Sequence, residues 1–374
     1  IEQFAQFQSM TQNEAQGVGG EAPIAESDPR QAGADSWQVE TISFQTPGRS
    51  EASIADLYLP EAVLEDAGSS ERNTPVVVIS HGVASSRNTL AYIAEHLASH
   101  GYGVVAIEHS ETSAEKFVRF LWGKESAPGG QELVLRPLDI TAVLDTLSVR
   151  QATGDTAVSR LNLESVGLLG QSLGGYTVLA SGGAGIDREF LAGECESSLA
   201  DRPTLNLSLL TQCTLLELPA ETSTDVADAR VSAVIALNPL TSSIFGMSGL
   251  QKINIPVMMM AGTDDFVAPA LPEQIEPFDW LETEHKKLVV MEKGTHFSFL
   301  DRNSRSVLPF SDQLTGPDPT AAREPTRALS LAFFDRHLQQ QAEAEQFLTQ
   351  TYLETFPKEP FEFSVVGSLP PGVQ

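Results

Sequence analysis

The sequence predicts an α/β fold, with a mainly parallel central sheet covered by helices on both faces. Three observations lead there. Short apolar runs such as Pro75-Val76-Val77-Val78-Ile79-Ser80 recur along the chain, and a strand buried on both faces reads as such a run. Helical patterns separate the runs, as at 89–100 and 138–149, and that alternation argues crossover connections between parallel strands. The chain has 374 residues, 41% of them hydrophobic, enough for one large α/β domain or two small ones.

Taken in order, residues 1–35 are rich in Gln, Ala, Gly and Glu and poor in large apolar side chains. They predict a mobile lead-in. Residues 37–44 and 52–59 alternate in polarity and predict an antiparallel pair at a sheet edge. Buried strands follow at 75–80 and 103–108, separated by a helix over 89–100 that Gly101 closes. Residues 110–130 read as a polar loop carrying an apolar patch of Phe117, Phe120, Leu121 and Trp122. A strand over 161–169 comes after the helix at 138–149. Residues 182–228 break the rhythm with frequent Gly, Ser, Thr and Asp, which predicts a lid-like insertion. Strands at 231–237, 256–261 and 287–291 and helices at 272–281 and 323–345 complete a domain over 36–350. Residues 351–374 read as an appended tail.

Composition narrows the partners. With 23 Lys and Arg against 50 Asp and Glu, the formal net charge is -27. Such a surface repels nucleic acid and anionic membranes. It fits a salt-adapted surface as well as an ordinary acidic one. No apolar run approaches the length of a membrane span. Cys195 and Cys213 form no C-x-x-C pair, so a zinc or thioredoxin-type site is not expected. A disulfide between them would point to an exported protein, and two reduced buried thiols are the alternative. The chain begins at Ile1, which fits a processed or trimmed chain whose signal peptide would no longer be visible. Oligomeric state is not legible.

The most informative stretch is Gly170-Gln171-Ser172-Leu173-Gly174, set between the strand at 161–169 and a small-residue helix. Strand, sharp turn, serine and helix make a nucleophile elbow. The alternative is a structural turn. A serine hydroxyl needs a base, and the base needs an orienting carboxylate. In this layout the chain order is Ser, then Asp or Glu, then His. His285, His296 and His337 follow Ser172. His296 lies just beyond the last parallel strand, where a loop can reach the elbow, and is the expected base. Asp264 and Asp265 both follow the strand at 256–261. Asp265, three residues after Gly262, has the spacing of the orienting acid, and Asp264 is expected to shape the turn. The oxyanion donors are expected to be the N–H groups of Leu173, directly after the serine, and Val83, in the loop after the strand at 75–80. His81 is expected to be structural, and His109 is a candidate pocket residue. The runs 117–122 and 244–247 are candidate pocket walls or plain core.

With these motifs the chain resembles the α/β-hydrolase superfamily over about residues 37–345. The Gly170–Thr177 stretch and residues 230–245 are similar to a bacterial branch, common in cyanobacteria, of platelet-activating-factor acetylhydrolase-like proteins and predicted dienelactone hydrolases. Polyester-degrading cutinase-like enzymes have similar motifs. The resemblance implies an α/β-hydrolase fold and hydrolysis of lipid-like or small carboxylic esters, with no metal or organic cofactor. Dienelactone hydrolases use a cysteine nucleophile where this chain has Ser172, so lactone activity does not carry over. A serine peptidase or amidase and a non-catalytic binding protein on the same scaffold are the alternatives.

Overall fold

Nine strands form one sheet in the computed structural model, which describes residues 28–65, 73–196, 205–301 and 315–369. They are β1 (Trp37–Phe44), β2 (Ser53–Pro60), β3 (Thr74–Ser80), β4 (Gly103–Glu108), β5 (Leu161–Gln171), β6 (Val231–Leu237), β7 (Val257–Gly262), β8 (Lys286–Glu292) and β9 (Glu362–Val366). Their order is β1-β2-β4-β3-β5-β6-β7-β8-β9. The six strands from β4 across to β8 are parallel, and β1, β2 and β9 add antiparallel edges. The α/β fold expected from the sequence is the fold observed.

The apolar runs feed two cores because successive strand side chains point to opposite faces. Val76, Val78, Val105, Ile107, Val257 and Met259 pack on one face, and Val77, Ile79, Val104, Ala106, Met258 and Met260 on the other. Helices α3 (Glu132–Ala152) and α4 (Leu173–Ser181) cover the first core through residues such as Leu133, Ile140, Tyr176 and Val178. Helices α1 (Ala91–Ser99) and α8 (Thr320–His337) cover the second through Ile93, Leu97, Leu329 and Phe333. Truncating one of these buried leucines to Ala costs about 2–5 kcal/mol.

Several elements differ from the sequence reading. The loop expected over 110–130 contains α2 (Ala114–Leu121), which Ser113 caps by accepting the N–H of Lys116. None of its residues is buried. Helix α3 starts at Glu132, earlier than predicted, and carries Pro137 inside. The long C-terminal helix stops at His337, and a 3-10 turn at Ala342–Phe347 follows. The segment read as an appended tail supplies β9, which pairs with β8 from Leu288↔Val366 to Glu292↔Glu362. Of the expected mobile lead-in, residues 1–27 lie outside the described residues. Asp28, which follows them, is anchored, because it accepts the Tyr352 hydroxyl at 2.8 Å, and the Pro29 carbonyl lies 2.8 Å from Nε2 of His96.

In the segment read from the sequence as an insertion, the described residues form α5 (Arg188–Glu196), α6 (Ser208–Gln212) and a 3-10 turn at Cys213–Glu217. Cys195 and Cys213 are joined by a disulfide, with their Cα atoms 5.8 Å apart. A second device docks the insertion. Glu273 is fully buried and accepts from Asn206, Ser208 and Gln212 of the insertion at 2.5–2.9 Å. It also accepts the N–H groups of Thr241 and Ser242, at the start of α7 (Ser242–Leu250), at 2.7 and 3.0 Å. Burying a carboxylate costs several kcal/mol unless such donors surround it. Removing them would therefore leave the Glu273 side chain buried and unpaired.

Candidate active site

Parallel register brings the loops together. Ser80 lies beside Gly170, Gln171 beside Leu237, Leu237 beside Met260, and Gly262 beside Met291. The chain therefore leaves β3, β5, β6, β7 and β8 along one edge of the sheet, where open α/β sheets bind ligands.

Ser172 sits at the end of β5 with φ 58° and ψ -122°. A non-glycine residue held there stores about 1–3 kcal/mol of strain. Two hydrogen bonds hold it: its N–H donates to Leu237 O at 2.9 Å, and its carbonyl accepts from Tyr176 at 3.1 Å. The flanking glycines permit the turn. A Cβ on Gly170 would stand 2.1 Å from Gly174 O, and one on Gly174 would stand 2.0 Å from Ser80 O.

Oγ of Ser172 lies 2.8 Å from Nε2 of His296, and Nδ1 of His296 lies 2.6 Å from Oδ2 of Asp265. All three side chains are buried. Oδ1 of Asp265 accepts the N–H groups of Val267 and Ala268, both at 2.8 Å, which fixes the carboxylate plane. Asp264 is exposed, and its N–H donates to Gly294 O within the turn. His285 is exposed at the start of β8, and His337 packs its ring against Phe333. The structure thus brings Ser172, Asp265 and His296 together and leaves the competing residues apart.

Two residues that sequence reasoning missed hold the loops in place. Nδ2 of Asn238 donates to Thr295 O at 3.1 Å, and its Oδ1 accepts from Gly262 N at 2.9 Å. It therefore ties the loop after β7 to the loop after β8. Its φ of 43° suits Asn, and the Asn238-Pro239 dipeptide was the available turn signal. Nε2 of Gln171 donates to the carbonyl of His296 at 3.0 Å.

A cavity of about 470 Å³ borders Ser172 and His296. Val83 and Leu173 line it, as do Phe117 and Phe120 of α2 and Leu207 and Leu210 of the insertion. The volume and apolar walls are those of a small-molecule site. Ile244 and Phe245 belong to the core, whereas Leu121, Trp122 and Met247 are exposed. The two candidate wall segments therefore divide, and only Phe117 and Phe120 face the cavity. Among the described residues, no group of three or more His, Cys, Asp or Glu could hold a metal ion, and no helix is long and apolar enough to cross a membrane.

A second chain of the same residue types lies behind the first. Oγ of Ser80 is 2.9 Å from Nε2 of His109, and Nδ1 of His109 is 2.7 Å from Oδ2 of Asp139. All three are fully buried, and none lines the cavity. His109 is therefore structural and not a pocket residue. Arg49 holds both oxygens of Asp139 at 2.6 and 2.7 Å and both of Glu132 at 3.1 and 3.0 Å. Arg136 donates to Ser80, His81, Thr112 and Thr177. Two guanidinium groups thus face two carboxylates, so the buried charges balance.

Burial, then the Arg136 cation, push His109 down to about 3. Burial pushes Asp139 up, but hydrogen bonds from His109 and Arg49 outweigh it and hold the carboxyl at about 2. Burial also lowers His96 to about 3 and puts His81 well below its ordinary value. The sign follows. Below about pH 6.5 the unfolded chain protonates these histidines and the folded chain does not, so stability is lost as the pH is lowered. Each adds to that loss as the pH falls toward its folded value. Asp139 adds a further loss from about pH 4 toward 2. The urea midpoint is expected to be flat from pH 7 to 8 and to fall steadily from 6.5 to 4.5. An unchanged midpoint at pH 5 would contradict neutral buried imidazoles.

Residues 54–136 match the family of platelet-activating factor acetylhydrolase, isoform II. That span runs from β2 into the start of α3 and includes the His81–Gly82 loop. Ser172, Asp265 and His296 lie beyond it. No curated protein matches the chain.

Proposed function

We propose that the chain is a serine carboxylic-ester hydrolase acting on lipid-like or small acyl esters. The observation that carries this reading is the hydrogen-bonded run from Ser172 through His296 to Asp265 at the rim of an apolar cavity. The match to the acetylhydrolase family supports ester hydrolysis. Oγ of Ser172 attacks the ester carbonyl while Nε2 of His296 takes its proton. Asp265 keeps Nδ1 protonated and stabilises the imidazolium. The N–H groups of Val83 and Leu173 hold the oxyanion. His296 then returns the proton to the leaving alcohol, and a water activated by the same imidazole releases the acid. No step calls on a cofactor. The Cys195–Cys213 disulfide supports an oxidising compartment, and we read the protein as exported.

A fluorophosphonate probe and a p-nitrophenyl ester series from acetyl to palmitoyl test the reading, with an amide and a phospholipid alongside. The expected result is stoichiometric labelling and turnover that peaks at short or medium acyl chains. Absence of labelling and of ester turnover would leave a binding protein. Turnover of the amide above the matched ester would point to an amidase.

A further inference from the structure

We propose that His81 is a positioning residue, whose imidazole orients and polarises the Gly82–Val83 peptide so that the Val83 N–H meets the oxyanion. The proposal rests on the esterase reading above, and it assigns a task to a histidine that the reaction scheme does not use. His81 is 1% exposed. Its Nε2 accepts the backbone N–H of His109 at 3.0 Å. A backbone N–H only donates, so Nε2 carries the lone pair and the proton sits on Nδ1. Nδ1 lies 2.7 Å from the carbonyl oxygen of Gly82, to which it donates. One tautomer satisfies both bonds. Oε1 of Glu108 stands 3.8 Å from Nε2, too far to compete. Burial and the Arg136 cation keep the ring neutral.

The Gly82 carbonyl and the Val83 N–H are the two ends of one peptide unit. A hydrogen bond at the carbonyl end fixes the rotation of the N–H end and strengthens it as a donor. The unit lies against the nucleophile, since a Cβ on Gly82 would stand 3.0 Å from Cβ of Ser172. The loop needs the support. Ala84, two residues on, has φ 58°, and its N–H donates to Thr112 O at 2.9 Å. Arg136 donates to the carbonyl of His81 and to the hydroxyl of Thr112, so it braces the same loop from behind. An oxyanion donor works over a distance window about 0.4 Å wide, and a 1 Å misplacement can cost on the order of 10²-fold.

The test compares wild type with His81→Ala and His81→Asn on a p-nitrophenyl ester and on the matching thionoester. Sulfur is larger and a weaker acceptor than oxygen, so the ester-to-thionoester rate ratio reports the quality of the oxyanion site. His81→Ala should lower kcat about 10- to 10²-fold with KM within about threefold, and should compress that ratio about tenfold. The Asn amide keeps a donor near the Gly82 carbonyl, so His81→Asn should recover at least about threefold of the lost kcat. If His81→Ala does not fold, His81→Asn decides alone, with kcat roughly three- to tenfold below wild type and a compressed ratio. A folded variant with wild-type kcat overturns the proposal. So does one whose kcat falls while the ratio stays put, which is the mark of a structural role. No turnover by wild type would instead defeat the esterase reading, and this inference with it.

Discussion

Replacing Ser172 by Ala is expected to lower kcat on a p-nitrophenyl ester by about 10⁵- to 10⁶-fold, with KM close to wild type. The hydroxyl is the only group lost. The backbone bonds to Leu237 and Tyr176 that hold the turn survive, and Ala84 shows that alanine tolerates a φ of 58° in this protein. The thermal midpoint should therefore barely move, and fluorophosphonate labelling should vanish. Ser80→Ala is the informative control. Ser80 has its own histidine and aspartate at 2.9 and 2.7 Å along the chain. Spacing alone would nominate it equally. Yet Ser80 is fully buried, and its Oγ takes a guanidinium N–H from Arg136 at 3.2 Å. Its removal leaves Nε2 of His109 without a donor, so it should cost about 1–3 kcal/mol of stability and little kcat in the surviving fold. A Ser172→Ala protein that kept more than a hundredth of wild-type kcat would show that the nucleophile is elsewhere.

Legibility followed the range of the interactions. The parallel strands could be read because a strand buried on both faces declares itself in its own residues, as Val76 to Ile79 and Val257 to Met260 do. Ser172, Asp265 and His296 could be placed because each follows such a strand, and the strands end at one edge. What escaped was decided by distant partners. Arg49 and Asp139 are 90 residues apart and look like ordinary surface charges until they meet. Glu273 lies in a stretch that the sequence predicts only as a helix, but it is buried and accepts from Asn206, 67 residues away. The strand at Glu362–Val366 alternates polar and apolar residues at a sheet edge, too short to stand out from a tail. Helix α2 lacks any fully buried residue, so its cap at Ser113 was its clearest mark.

Asp265→Asn is expected to cost about 10⁴-fold in kcat with little change in fold, and the reason lies in which way the amide must face. Oδ1 of Asp265 accepts two backbone N–H groups, from Val267 and Ala268. An Asn that turned its NH₂ toward them would set donor against donor and lose both bonds, about 1–3 kcal/mol for each group left unpaired. The amide oxygen therefore faces the loop, and the NH₂ faces Nδ1 of His296. Nδ1 must then carry the lone pair, which moves the ring proton to Nε2, 2.8 Å from Ser172. A protonated Nε2 donates to the hydroxyl instead of accepting from it, so the proposed base is lost although every heavy atom stays in place. Asp264→Asn changes an exposed turn residue and should keep kcat within about threefold, in line with the small effects of surface substitutions. Steady-state kinetics on the two single variants separate these outcomes directly. An Asp265→Asn enzyme retaining a tenth of wild-type kcat would mean that the histidine chooses its tautomer without the carboxylate.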